Sequence, residues 1–110
     1  MDIHVEHSGG ITIVEMLGEL DSVTAPSVQE QILPLAQKGS RVLLDMSAVA
    51  YMSSAGLRML LLLYRRINDN AGKVVIAGLN DSVRDIMSIT GFLDYFVTVQ
   101  TRHEGLQALA

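Results

Sequence analysis

Residues 43–58 constrain this chain more than any other stretch. Leu43-Leu44-Asp45-Met46-Ser47-Ala48-Val49-Ala50-Tyr51-Met52-Ser53-Ser54-Ala55-Gly56-Leu57-Arg58 reads as a buried strand ending in a small turn, then two serines and a glycine opening a long apolar helix. A nearly continuous apolar strand that hands the chain to an amphipathic helix belongs in a parallel sheet covered on both faces. A serine hydroxyl held where that helix begins sits among free backbone N–H groups and the positive end of the helix dipole. Such a position suits a phosphate.

The flanking sequence extends the pattern in both directions. Ile3 to His7 alternates apolar and polar residues with the period of a half-buried strand, and Ile11 to Leu17 is β-branched at its start. Ser8-Gly9-Gly10 between them predicts a hairpin. Gly18-Glu19-Leu20-Asp21 breaks the strand pattern, and Thr24 is the expected N-cap of a helix carrying Val28, Ile32, Leu35 and Ala36 through about Lys38. Pro26 fits the first turn of that helix, Pro34 should kink it, and Gly39 should stop it.

Arg41 to Met46 is the buried strand, and the helix after it runs from Ser53 or Ser54 to about Asn70. Lys73 to Leu79 predicts another buried strand. Asn80-Asp81-Ser82 caps a helix with Val83, Ile86, Met87 and Ile89 on its apolar face, stopped by Gly91. Phe92, Leu93 and Phe96 pack the following turn, Val97 to Gln100 predicts a short last strand, and Glu104 to Leu109 a terminal helical turn or two. The order ββαβαβα(β)α gives a small single α/β domain over residues 1–110, with a mixed, mostly parallel sheet of four to five strands and three to four helices. The initial hairpin supplies the antiparallel edge.

Composition narrows the chemistry. A chain of 110 residues is the size of one domain with one core. With no cysteine, disulfides and thiolate metal sites are excluded, and the cytoplasm is the expected location. The first residues have no basic region followed by an apolar core, so no signal peptide is expected there. The apolar run Met59 to Tyr64 is far short of the ~20 residues that span a bilayer, so membrane insertion is not expected. A net charge of −4, scattered basic residues and no tryptophan argue against nucleic acid as a partner.

Three kinds of site have too little pattern behind them. His4, His7 and His103 do not have the spacing of a metal site. Ser53-Ser54-Ala55-Gly56 lies at a strand-to-helix junction, as a hydrolase nucleophile does, but lacks the glycine two residues earlier and has no marked general base. No phosphate-binding glycine loop follows any predicted strand, so no cofactor is expected.

Ser54 remains, read either as a helix cap or as a phosphorylated switch. On pattern alone the cap is the simpler reading, since serine caps are common. The helix it opens points the other way. Leu57, Leu60, Tyr64 and Ile67 form a core-facing stripe bordered by Leu63, while Arg58, Arg65 and Asp69 lie opposite, on the side of Ser54. Leu62 falls among those polar residues with Met59 just beyond it, and two large apolar side chains there suggest a partner surface.

Asp45 to Leu57, centred on Met52-Ser53-Ser54-Ala55-Gly56-Leu57, resembles the signature of STAS domains, which include the anti-sigma factor antagonists of bacteria. Gly18-Glu19-Leu20-Asp21 with Thr24-Ala25 is similar to that family's first loop, and Ile89-Thr90-Gly91-Phe92 to its motif near the end of the third helix. The resemblance covers essentially the whole chain. It implies a non-enzymatic binding module with no cofactor of its own. Its partners would be an anti-sigma factor serine kinase, which uses ATP to phosphorylate Ser54 and so releases the antagonist, and a metal-dependent serine phosphatase that restores it. The family pattern carries Asp directly before the phosphoserine; here Ser53 stands there, which makes Ser53 the second choice for modification. Asp21, Ser53 and Ser54, which the resemblance implies, join Arg58, Met59 and Leu62 of the helix face in one expected docking surface. STAS proteins also occur as non-phosphorylated subunits of lipid-transport complexes, the main alternative role.

Overall fold

The computed structural model describes residues 1–110. Its five strands are β1 (Asp2–Ser8), β2 (Ile11–Leu20), β3 (Arg41–Met52), β4 (Lys73–Ala77) and β5 (Val97–Val99). The helices are α1 (Ala25–Ile32), α2 (Ser54–Asp69), α3 (Asp81–Ile89) and α4 (Arg102–Leu109), with short 3-10 turns at Leu33–Leu35 and Phe92–Tyr95. The sheet order is β1-β2-β3-β4-β5. Only β1 with β2 is antiparallel; the other neighbours are parallel. This is the predicted element order and sheet.

Local chemistry explains most of it. Gly9 and Gly10 both take positive φ, 56° and 79°, as a two-residue hairpin turn of type I′ requires. Asn80 caps α3 by accepting the Val83 N–H at 2.8 Å, and Thr101 caps α4 by accepting from Glu104 at 3.1 Å. Apolar residues of β3 alternate between two covered faces. Val42, Leu44 and Met46 face the main core built by α1, α2 and α3; Leu43 faces the smaller cluster under Leu109 of α4.

Several predictions from the sequence need correction. β2 continues through Leu20 and β3 through Met52, so Gly18-Glu19-Leu20 and Ser47 to Met52 are strand, not break and turn. The cause is mutual pairing: two register shifts, Glu15/Leu17 and Gly18/Glu19, keep the strands matched as far as Leu20 against Met52. β1 is not half-buried, because it is an edge strand on which only Ile3 is partly covered. α1 ends at Ile32, where Pro34 shifts the chain into a 3-10 turn several residues before Lys38. Met59 is 3% exposed and belongs to the main core, because α1 forms a layer over α2 at that point. Leu62 is half-buried for the same reason, and Tyr64 is only half-buried, with Leu63 taking its place in the core stripe. Ile89, at 86% exposed, lies on the last turn of α3, beyond the layer that covers Val83 and Met87.

Candidate functional site

The parallel strands β2 and β3 end side by side, and the two loops leaving their C-terminal ends build the site. Leu20 is the last residue of β2, and its carbonyl accepts the N–H of Ser53 at 2.9 Å. That bond ties the Asp21 loop to the first residue of the α2 cap. Gly56 makes the approach possible: a Cβ there would lie 2.6 Å from the Leu20 carbonyl oxygen and 2.8 Å from Leu20 Cγ. The small residue of the Ser-Ser-Ala-Gly stretch therefore has a packing reason independent of any ligand.

Ser53 is the N-cap of α2, in an extended conformation, and its carbonyl accepts the Leu57 N–H at 3.0 Å. Its hydroxyl makes no cap bond; Ser53 Oγ is buried and has no hydrogen-bond partner. Ser54 is the first residue of the helix and is exposed. The two adjacent hydroxyls thus sit in opposite environments. The N–H groups of Ser54, Ala55 and Gly56 have no acceptor within the helix, so any negative group on Ser54 meets free donors and the positive dipole end.

Asp21 organises its own loop. Its Oδ1 accepts the N–H groups of Val23 at 2.9 Å and Thr24 at 3.0 Å, while Thr24 Oγ1 accepts the Asp21 N–H at 3.0 Å and donates to Glu19 O at 2.9 Å. Thr24 is the N-cap of α1, as expected, but the carboxylate of Asp21 rather than the Thr24 hydroxyl serves the helix end. The Thr24 amide holds the Asp21 carboxyl below its ordinary pKa; burial works against it, and the Val23 amide and Thr24 hydroxyl add to the lowering. Oδ2 takes no intramolecular hydrogen bond. Asp21 is therefore an ionised carboxylate with one oxygen engaged by the fold.

Beside these loops, a shallow groove of about 250 Å³ runs between the starts of α1 and α2. Arg58, Met59 and Leu62 line its α2 side; Ser22, Pro26 and Gln29 line its α1 side. Arg58 is exposed and makes no ion pair. Of the predicted surface residues, Arg58, Met59 and Leu62 line this groove, with Met59 buried at its floor, while Asp21, Ser53 and Ser54 belong to the two loops joined by the Leu20–Ser53 bond. The α1 residues were not anticipated; the signal was Asp21 itself, since a loop capped by it must start a helix next to it.

The sequence reading also missed a charge cluster on the opposite face. Arg102, the first residue of α4, donates to Asp45 Oδ2 through Nε at 3.1 Å and Nη2 at 2.9 Å, and lies 3.2 Å from Glu15 and 3.6 Å from Glu6. Burial pushes the Asp45 carboxyl pKa up, but the Ser47 hydroxyl and N–H and the Arg102 guanidinium together hold it below the ordinary value. The cluster pins α4 to the sheet. His4, His7 and His103 are exposed, and His4 Nδ1 is 3.3 Å from Glu15.

The STAS domain profile matches residues 2–105. A Bordetella bronchiseptica protein assigned as an anti-sigma factor antagonist is 30% identical over 109 residues, 98% of this chain and 94% of that protein. The anti-sigma-B factor antagonist of Staphylococcus aureus is 33% identical over 82 residues, 74% of this chain and 76% of the relative. Among solved structures, an anti-sigma-factor antagonist (STAS) domain protein from Planctomyces limnophilus superposes with a TM-score of 0.90 at 19% identity, covering 99% of this chain and 98% of the other. That last likeness is one of fold.

Proposed function

The chain belongs to the STAS domain family, and from that premise we propose that it is an anti-sigma factor antagonist whose docking surface is switched by phosphorylation of Ser54. The single observation that carries the reading is the contrast between neighbouring hydroxyls. Ser54 is exposed in the first turn of α2, whose cap residue is bonded to Leu20 at the root of the Asp21 loop, whereas Ser53 Oγ is buried. A kinase reaches the first and not the second. The unphosphorylated surface of Asp21, Ser54, Arg58 and Leu62, with Ser22 from the loop before α1 and Pro26 from α1, binds the anti-sigma factor kinase and so frees its sigma factor. The kinase supplies ATP; this chain carries no cofactor and performs no reaction. A metal-dependent phosphatase resets the switch, and the cycle runs in the cytoplasm. No helix of the protein is long and apolar enough to cross a membrane.

The physics of release is electrostatic. Phosphate adds about −1.5 to −2 charges to a surface that must be desolvated on docking, next to the ionised Asp21. An uncompensated charge of that kind costs ~2–4 kcal/mol, a roughly 30- to 1,000-fold loss of affinity. The free N–H groups of α2 stabilise the phosphate in the released state, so the fold itself does not change. The test is intact mass after incubation with the cognate kinase and ATP. Wild type and Ser53→Ala gain one phosphate, and Ser54→Ala gains none while still binding the kinase. Undiminished phosphate on Ser54→Ala overturns the assignment. No phosphate on wild type points instead to the non-phosphorylated subunit role.

A further inference from the structure

β1 is the first strand of the sheet, and six of its seven residues are exposed. Asp2-Ile3-His4-Val5-Glu6-His7-Ser8 pairs with β2 throughout, without a bulge. It contains no Lys and no Pro, two of the devices that keep open edges apart. The direction of its backbone groups follows from the hairpin. The two-residue turn closes on a hydrogen-bonded pair, Ser8 with Ile11, and such pairs alternate with non-bonded ones along an antiparallel ladder. Asp2, His4, Glu6 and Ser8 therefore turn their N–H and C=O groups toward β2. Ile3, Val5 and His7 turn theirs outward, unpaired.

We propose that this edge docks a second copy of the same chain, β1 against β1 and antiparallel about Val5, joining two five-stranded sheets into one. Charge complementarity selects the occupant and the register. The outward residues of both copies must face each other, which leaves two-fold pairings centred on His4, Val5 or Glu6 as the long ones. Centring on Glu6 sets that carboxylate against its own copy. Centring on His4 sets His4 against itself and Asp2 against Glu6. Like charges directly opposite are destabilising. Centring on Val5 sets His4 opposite Glu6 of the second copy, twice by symmetry, with Asp2 opposite Ser8 and Ile3 opposite His7.

In that register the His4 and Glu6 positions are the non-hydrogen-bonded ones, where side chains come closest. About six new backbone hydrogen bonds form, two each at the pairs Ile3–His7, Val5–Val5 and His7–Ile3. Each copy already places His4 3.3 Å from Glu15 and Glu6 3.6 Å from Arg102. Joining them produces an unbroken alternation of donor and acceptor: Arg102 and Glu6 of one copy, then His4 and Glu15 of the other. On the other face Val5, 41% exposed against the fully buried Val14, meets its symmetry mate. The Ser54 surfaces lie at the C-terminal ends of β2 and β3, so the two-fold axis sends them to opposite ends of the joined sheet, both free.

A seven-residue edge buries less than the ~1,000 Å² usual for stable complexes, so the dimer forms in the micromolar to millimolar range. Sedimentation equilibrium over that range tests it. Wild type rises toward twice the monomer mass. Val5→Pro removes one outward N–H without touching the bonds to β2, and stays monomeric with an unchanged circular dichroism spectrum; Val5→Lys serves the same purpose should the proline variant misfold. His4→Glu and Glu6→Lys each weaken association about tenfold alone, and an equimolar mixture of the two regains it, because each then faces its complement. A monomer at millimolar concentration, a dimer indifferent to Val5→Pro and Val5→Lys, or a mixture no tighter than its components overturns the proposal.

Discussion

Replacing Gly56 by alanine sets two effects of opposite sign against each other. In an ordinary helix position the change stabilises by roughly 0.5–1 kcal/mol, because glycine loses more backbone freedom on folding. At this position the new Cβ would lie 2.6 Å from Leu20 O, 2.8 Å from Leu20 Cγ and 3.0 Å from Met52 Cγ. None of these can yield cheaply: Leu20 and Met52 are fully buried, and the Leu20 carbonyl is held by the Ser53 N–H. An ordinary carbon–oxygen contact of ~3.3 Å requires the strand end and helix start to part by roughly 0.7 Å. Overpacking of that size costs about 1–3 kcal/mol, and stretching the Ser53–Leu20 bond a further ~0.5–1.5. The middle of each range leaves a net loss of about 2 kcal/mol. In urea this moves the midpoint down by roughly 1 M at a typical slope, and in a thermal melt by about 5–15 °C. A Gly56→Ala protein as stable as wild type, or more so, would refute the claim that this glycine fastens the two halves of the site.

Asp45→Asn should cost about 1–3 kcal/mol at neutral pH by breaking the contact with Arg102. Because the folded-state pKa of Asp45 is lowered, its contribution is present above the ordinary value of 3.8 and lost as pH falls through the folded one, so the gap between variant and wild type should close on acidification in a urea series. Asn80→Ala removes the α3 cap and the 3.0 Å bond to Val49 O, an expected loss of about 1–2 kcal/mol in thermal melts, with Asn80→Asp intermediate because it keeps only the acceptor. Met59→Ala should destabilise by about 2–4 kcal/mol as a core cavity, while Arg58→Glu leaves the melting temperature nearly unchanged and weakens kinase binding in a titration.

The sequence exposes those parts of the fold that depend on local chemistry. The Gly9-Gly10 hairpin, the Asn80 cap and the strand–helix alternation from Arg41 onward all follow from short-range preferences. What it conceals depends on contacts between distant segments. Ser47 to Met52 is too small and polar to look like strand, and becomes strand because β2 lies beside it. Met59 has the wheel position of a boundary residue, and only the layer formed by α1 decides that it is buried. The groove residues from α1 were hidden in the same way, since no spacing along the chain reports which helices meet. Arg102 lies 57 and 87 positions from Asp45 and Glu15, beyond any pattern, yet one sign was available: a carboxylate inside the run Leu43-Leu44-Asp45-Met46 demands a cation or donors somewhere. At the site, Ser53 and Ser54 are equivalent as letters, and only the turn of the helix start separates the buried hydroxyl from the exposed one.

Every strand of this sheet pairs with its immediate neighbour in the chain, so assembly needs no segment inserted between two already joined. Each parallel pairing closes a loop over about one helix, and the entropy of closure is met in small successive steps. The bonds of α4 are exceptions: Arg102 reaches back to Glu15 and Asp45, which needs β2 and β3 already in register, and the Leu109 carbonyl accepts from Arg41 of β3. A helix that docks on a finished sheet is expected to form late and to open early. In exchange with deuterated solvent its amides should open independently of the sheet, and detaching it uncovers Leu43 and Val75 while leaving the Ser54 face intact.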